Sequence, residues 1–153
     1  MALKRSDYAK GSLVAPNPGF SGVAVTHRFT MLIPANAQVG DIFEVAAIPP
    51  GCRPLDIVID ADDLDTHGTP TIAFNVGVMS GNYGADDDTR TCGAEFFAAS
   101  QVARTGGVAQ PSLASAYRVP VNAKARGIGI EITTAAATGA AGTVGLTVTY
   151  AAE

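Results

Sequence analysis

Apolar and polar side chains alternate with a period of two along most of this chain, a regularity that fits pleated sheet and does not fit helix. It is most sustained between Leu55 and Gly81. There Leu55, Ile57 and Ile59 alternate with Asp56, Val58 and Asp60; after a polar connection from Asp62 to Pro70, Ile72, Phe74, Val76 and Val78 alternate with Ala73, Asn75, Gly77 and Met79. Successive strand side chains point to opposite faces, so the pattern predicts two half-buried strands, read as a pair joined by the acidic connection. One face enters a core. The other, carrying Asp56 and Asp60, meets water or a partner.

The same period recurs elsewhere. Val23, Val25, His27, Phe29, Met31 and Ile33 share one side of a long strand ended by Pro34, and Asp41 to Ile48 predicts another, stopped by the Pro49-Pro50-Gly51 turn. Leu113 to Val121, with Tyr117 and Val119 on one face, and Ile128 to Thr133 predict two more. Thr143 to Ala151 alternates most cleanly, with Val144, Leu146, Val148 and Tyr150 inward, and is expected inside a sheet. Ala94 to Arg104 breaks the alternation and reads as a short helix or a bulged edge strand, with one or two helical turns favoured. Seven or eight strands with frequent turns predict an all-β fold: an antiparallel β-sandwich of the jelly-roll kind, with at most one short helix. Residues 1–20, rich in Pro and Gly, read as an extended N-terminal arm. Residues 21–153 read as a single β-sandwich domain, a size at which about two-thirds of the unfolded chain's surface is buried.

Charge narrows the partners. Charged residues are only 16% of the chain against about 25% in an ordinary soluble domain, which favours an oligomer or a docked protein. Lys4, Arg5 and Lys10 against Asp7 make the first ten residues +2, leaving −6 for the rest of a chain of net charge −4. Between Asp56 and Asp88 lie eight carboxylates and no Lys or Arg. That surface repels phosphate, so no nucleic acid is expected as a partner. No apolar window reaches membrane-spanning length, so no membrane is expected, and the N-terminus lacks the apolar core of a secretory signal. Cys52 and Cys92, without CxxC spacing, are expected as free thiols of a protein made in a cytoplasm.

The motifs for chemistry are thin. Asp60, Asp62, Asp63 and Asp65 followed by Gly68 resemble a cation loop in composition, but Leu64 occupies a ligand position and no Glu closes the loop, so a solvated acidic connection is expected. His27, Glu44 and Cys52 can be assembled on paper as a nucleophilic set, yet no nucleophile elbow surrounds them. Two histidines cannot supply the clustered imidazoles of a metal-dependent sandwich enzyme. No enzyme activity, catalytic residue, metal or cofactor is therefore expected. The candidate contact residues are those of the arm: Leu3, Lys4, Arg5, Tyr8, Lys10, Leu13 and Val14, which can lie along a neighbouring subunit with their cations over an acidic patch. Deleting residues 2–18 is expected to weaken such binding and leave the fold intact.

The segments GDIFEVAAIPPGCRPLDIVIDADDLD and TPTIAFNVGVMSG, continued by AEFFAASQVARTGG, place a proline-glycine turn, a strand, an acidic loop and a strand ending in Gly-Val in one order. In this the chain resembles small structural proteins of tailed bacteriophages, in particular those that decorate or cement the head, over about two-thirds of its length. The resemblance implies a jelly-roll-like subunit on the outer surface of the virion capsid. Its implied partners are the major capsid protein and itself, as a homo-oligomer, a trimer in preference to a dimer. It would be made in the host cytoplasm and hold adjacent capsid subunits together. The competing expectation is a tail or baseplate β-sandwich that recognises a host-surface glycan, and a third is a free soluble lectin.

Overall fold

The computed structural model describes residues 1–20 and 22–153, in which two β-sheets enclose one hydrophobic core. The strands are β1 (Leu3–Arg5), β2 (Ala24–Ile33), β3 (Ile42–Ile48), β4 (Cys52–Ala61), β5 (Ala73–Val78), β6 (Phe97–Ser100), β7 (Gly107–Ala109), β8 (Arg126–Thr134) and β9 (Gly142–Ala152). One sheet runs β1-β3-β8-β5-β6 and the other β2-β9-β4-β7. Every pairing is antiparallel except β1 with β3. The expected all-β sandwich is thus present, with helical structure among the described residues limited to two 3-10 turns, Val102–Arg104 and Ala114–Tyr117. The expected boundary between arm and sandwich, at residue 21, lies outside the described residues.

Period-two alternation builds the core as anticipated. Val144, Leu146, Val148 and Tyr150 of β9, Phe29 and Ile33 of β2, and Ile57 and Ile59 of β4 face Phe43, Phe74, Val76 and the Ile128, Ile130 and Ile132 ladder of the other sheet, all of them buried. β9 lies between β2 and β4, as its clean pattern predicted.

Three expectations change. The strands around Leu55 and Phe74 are not a pair: β4 joins β9 while β5 joins β8, so the acidic connection crosses from one sheet to the other. Nor is that connection merely solvated. Asp65 is 1% exposed, and its carboxylate accepts backbone N–H bonds from His67, Thr71, Ile72, Ala137 and Thr138, tying the crossing to the Thr134–Gly142 loop. Burial pushes this carboxyl upward, but the bonds from Thr138, Ala137, Thr71 and Ile72 outweigh it and hold the group well below the usual carboxylate range. Leu113 to Val121 is not a strand. Val119 is buried and Tyr117 is exposed, because the segment coils as a 3-10 turn whose Ser115 hydroxyl donates to the Glu95 carbonyl.

The Ala94–Arg104 piece takes both of the forms its pattern allows, an irregular edge strand more than the favoured helical turns. It forms β6 and then one 3-10 turn. Phe97, which opens β6, and Phe96, just before it, are both buried, and the irregularity comes after them, where the pairing with β5 shifts register and Ala99 takes a positive φ.

The outer face of the β1-β3-β8-β5-β6 sheet is closed by the protein's own loop, residues 79–96. Gly77 and Gly129 sit opposite each other on that face. A Cβ at Gly77 would fall on the Gly93 backbone, and one at Gly129 on the Met79 and Cys92 side chains. The Arg90 guanidinium locks the loop down: it donates to both Glu44 carboxylate oxygens (2.6 and 2.9 Å), to Ser80 O and to Ala85 O, while Glu44 also accepts from the Gly84 N–H. The pair is fully desolvated, with side chains 2% and 0% exposed.

Two expected outcomes follow from these buried carboxylates. Arg90→Met strands a charge and should cost about 3–5 kcal/mol in urea unfolding, whereas adding Glu44→Leu to it should recover much of the loss; equal destabilisation by the single and double variants would contradict this. Because the folded pKa of Asp65 is depressed, its stabilisation is complete above the unfolded value of about 3.9 and is lost as pH falls below it. Asp65→Asn should therefore be less stable than wild type at pH 7 and should lose less of its stability between pH 5 and pH 2. Parallel pH profiles would refute that role.

Candidate partner interface

The arm begins as part of the sheet. Leu3, Lys4 and Arg5 pair with Ile42, Phe43 and Glu44, and this parallel strand is extended by Ile42 N–H to Ala2 O at 2.9 Å and Ser6 N–H to Glu44 O at 2.7 Å. Arg5 donates to Gly84 O at 2.9 Å and pairs with Asp86 at 3.1 Å, so the strand is also fastened to the loop that Arg90 anchors. Tyr8 then plugs the open side of the sandwich. Its ring meets those of His27 and Phe29 edge-on, with centroids 5.3 and 4.7 Å away, and its hydroxyl is hydrogen-bonded to His27 Nε2 at 2.7 Å. A deletion of residues 2–18 would thus remove a strand and uncover Phe29, so point substitutions are the cleaner probe of binding.

The seven contact candidates separate into three places. Leu3, Lys4, Arg5 and Lys10 line two adjoining grooves of about 370 and 390 Å³ between the arm and the end of β2, floored by Met31, Leu32 and Phe43. Tyr8 is spent on the core. Leu13 and Val14 lie beyond the grooves, 49% and 87% exposed, in a stretch that is fastened where the Tyr150 hydroxyl donates to Pro16 O and that ends at the exposed Phe20.

The residues that suggested chemistry are engaged separately. His27 holds Tyr8, Glu44 holds Arg90, and the Cys52 thiol lies against Asn17. Burial raises the Cys52 thiol and pushes that of Cys92 up to about 12, which keeps both protonated at neutral pH. Both are free, as expected. The acidic residues likewise face protein donors: Asp60 binds Arg28, Asp62 accepts from Thr143 N–H, and Asp63 accepts from Asp65 N–H. No helix among the described residues is long and apolar enough to cross a membrane. Sequence reasoning missed Arg90, the residue that fixes the loop beneath the arm; its isolation behind Asp86-Asp87-Asp88 was the only signal.

No model of a known protein family matches the chain, and no curated protein does. Solved structures do match. A chain from the capsid of Ralstonia phage GP4 superposes with a TM-score of 0.95 and 39% identity over 99% of both chains. One from the capsid asymmetric unit of cyanophage Pam1 gives 0.66 and 29% over 92% of this chain and 93% of the other. A chain from the acidic stable capsid of Helicobacter pylori bacteriophage KHP30, with 0.53 and 13% over 84% and 91%, shares the fold. A sandwich closed on one face by its own loop, and matched end to end at that identity by a capsid component, belongs to a family of phage virion structural proteins.

Proposed function

We propose that this protein is a capsid decoration, or cement, protein that binds the outer surface of the phage head and stabilises contacts between major capsid protein subunits. The observation that carries the reading is the end-to-end similarity to a capsid component in a chain of only 153 residues. Two further features support the reading, one on position and one on mode of action. The chain carries a net charge of −4, and although Arg28 pairs with Asp60 and Arg5 with Asp86, Asp56, Asp62, Asp63, Asp87 and Asp88 form no ion pair among the described residues, which disfavours the genome side. The Cys and His residues are occupied structurally, which supports a role by adhesion and not by catalysis.

The strand wiring supports the jelly-roll reading: β2 to β9 divide four and four, as 2-9-4-7 and 3-8-5-6. Exposed Val14, Phe20, Leu32 and Val108 offer apolar surface for self-association as a homo-oligomer, with a trimer preferred over a dimer because it bridges more capsid subunits at once. A clip that binds only correctly spaced subunits stabilises the assembled shell by mass action. Synthesis in the host cytoplasm and residence on the virion exterior follow from this role.

The test is to assemble heads with and without the protein. Hundreds of copies per head and a higher disruption temperature in its presence are expected. Copies confined to the tail, with binding to host-surface glycan, would overturn the proposal in favour of a receptor-recognition role. Shells formed from this chain alone would make it the major capsid protein.

A further inference from the structure

β2 is a ten-residue edge strand, paired only on its β9 side. Asp62 N–H donates to Thr143 O, so Thr143 directs its backbone groups toward β4; by alternation Val144, Leu146, Val148 and Tyr150 direct theirs toward β2. Their partners Met31, Phe29, His27 and Val25 carry the ladder. The N–H and C=O groups of Ala24, Thr26, Arg28, Thr30 and Leu32 therefore point away from the sheet. Among the described residues no hydrogen bond engages them. Several usual protections of an exposed edge are missing here too: β2 contains no Pro, no Lys and no bulge, and its one arginine, Arg28, is turned onto Asp60.

What flanks this edge selects its occupant. The grooves between the arm and Thr30, Met31 and Leu32 have an apolar floor, on which Leu32 is 65% exposed, and a rim bearing Lys4, Arg5 and Lys10. Against these, among the residues lining the grooves, stand Asp7, 3.9 Å from Lys10, and Asp86 on Arg5, which leaves the lining at +1 in an otherwise acidic protein; Asp88, outside the lining, accepts the Leu3 N–H at 3.3 Å. Lys4 is exposed, and no ion pair engages it among the described residues.

We propose that the outer edge of β2 receives an extended, carboxylate-bearing segment of a neighbouring capsid subunit as an added strand. Main-chain bonds to Thr30 and Leu32 supply the register, apolar side chains of the segment seat on Leu32 and Met31, and its carboxylates meet Lys4 and Lys10. This rests on the capsid role proposed above.

Two variants test it in the full-length protein, using heads assembled without it as the probe. Thr30→Pro removes an outward N–H that the fold does not use, a position where proline is tolerated. Lys4→Glu with Lys10→Glu reverses the rim and leaves the backbone alone. Both should bind heads about tenfold more weakly, the loss expected for one or two net hydrogen bonds or charge contacts. Wild-type binding should fall with added salt. Wild-type binding with both variants unaffected would overturn the strand-addition site and leave the capsid role standing; failure of the wild type to bind any head would overturn the capsid role itself. If Thr30→Pro dissolves a self-association and head binding is unchanged, the edge takes a second copy of this chain and the proposal is wrong.

Discussion

The buried pair of Glu44 and Arg90 is the interaction on which the rest of the structure depends. Removing two charges from water costs several kcal/mol each, and that cost is offset only when the remaining donors and acceptors are satisfied. Here they are. Both carboxylate oxygens are bonded, one also takes the Gly84 N–H, and the guanidinium reaches two carbonyls besides. A loop held by so many directional bonds has one seat, and that seat covers the sheet face at Gly77 and Gly129.

This closure decides where a partner can bind. With the middle of one face occupied by loop 79–96, the surfaces left include the β2-β9-β4-β7 sheet, its edges and the arm. The same loop supports the arm through Gly84 and Asp86, so β1 and the turn carrying Tyr8 are held in place and wall the grooves beside β2. The chain thus spends its buried charge on fixing a loop, and the fixed loop shapes a binding edge. That is a construction suited to adhesion, in keeping with a family of virion structural proteins.

Much of this was legible in the sequence and the rest was hidden for identifiable reasons. Alternation located β2, β3, β8 and β9 because each has one side committed to the core. It could not say which sheet a strand joins, since β4 and β5 carry the same period whether they pair with each other or across the sandwich. Glu44 and Asp65 were unreadable as anchors, because a carboxylate in an alternating strand or an acidic loop is ordinarily at the surface. Nothing in the alternation marks Gly77 and Gly129 as the bed of a packed loop. Leu3 to Arg5 is too short for any periodicity, so its place in the sheet appears only when β3 is there to receive it. Of the seven arm residues singled out, the cations fall at the grooves, while Tyr8 turned inward because Phe29 and His27 leave an aromatic gap at the open side.

Hydrogen–deuterium exchange of the protein free and bound to heads addresses the division between a closed face and an available edge most directly. The amides of Val78, Gly93 and Phe96, bonded between loop and sheet, should exchange slowly in both states. Those of Thr26, Arg28, Thr30 and Leu32 should be fast in the free protein and slow only on heads. Protection gained solely in residues 79–96, with β2 unchanged, would contradict the account.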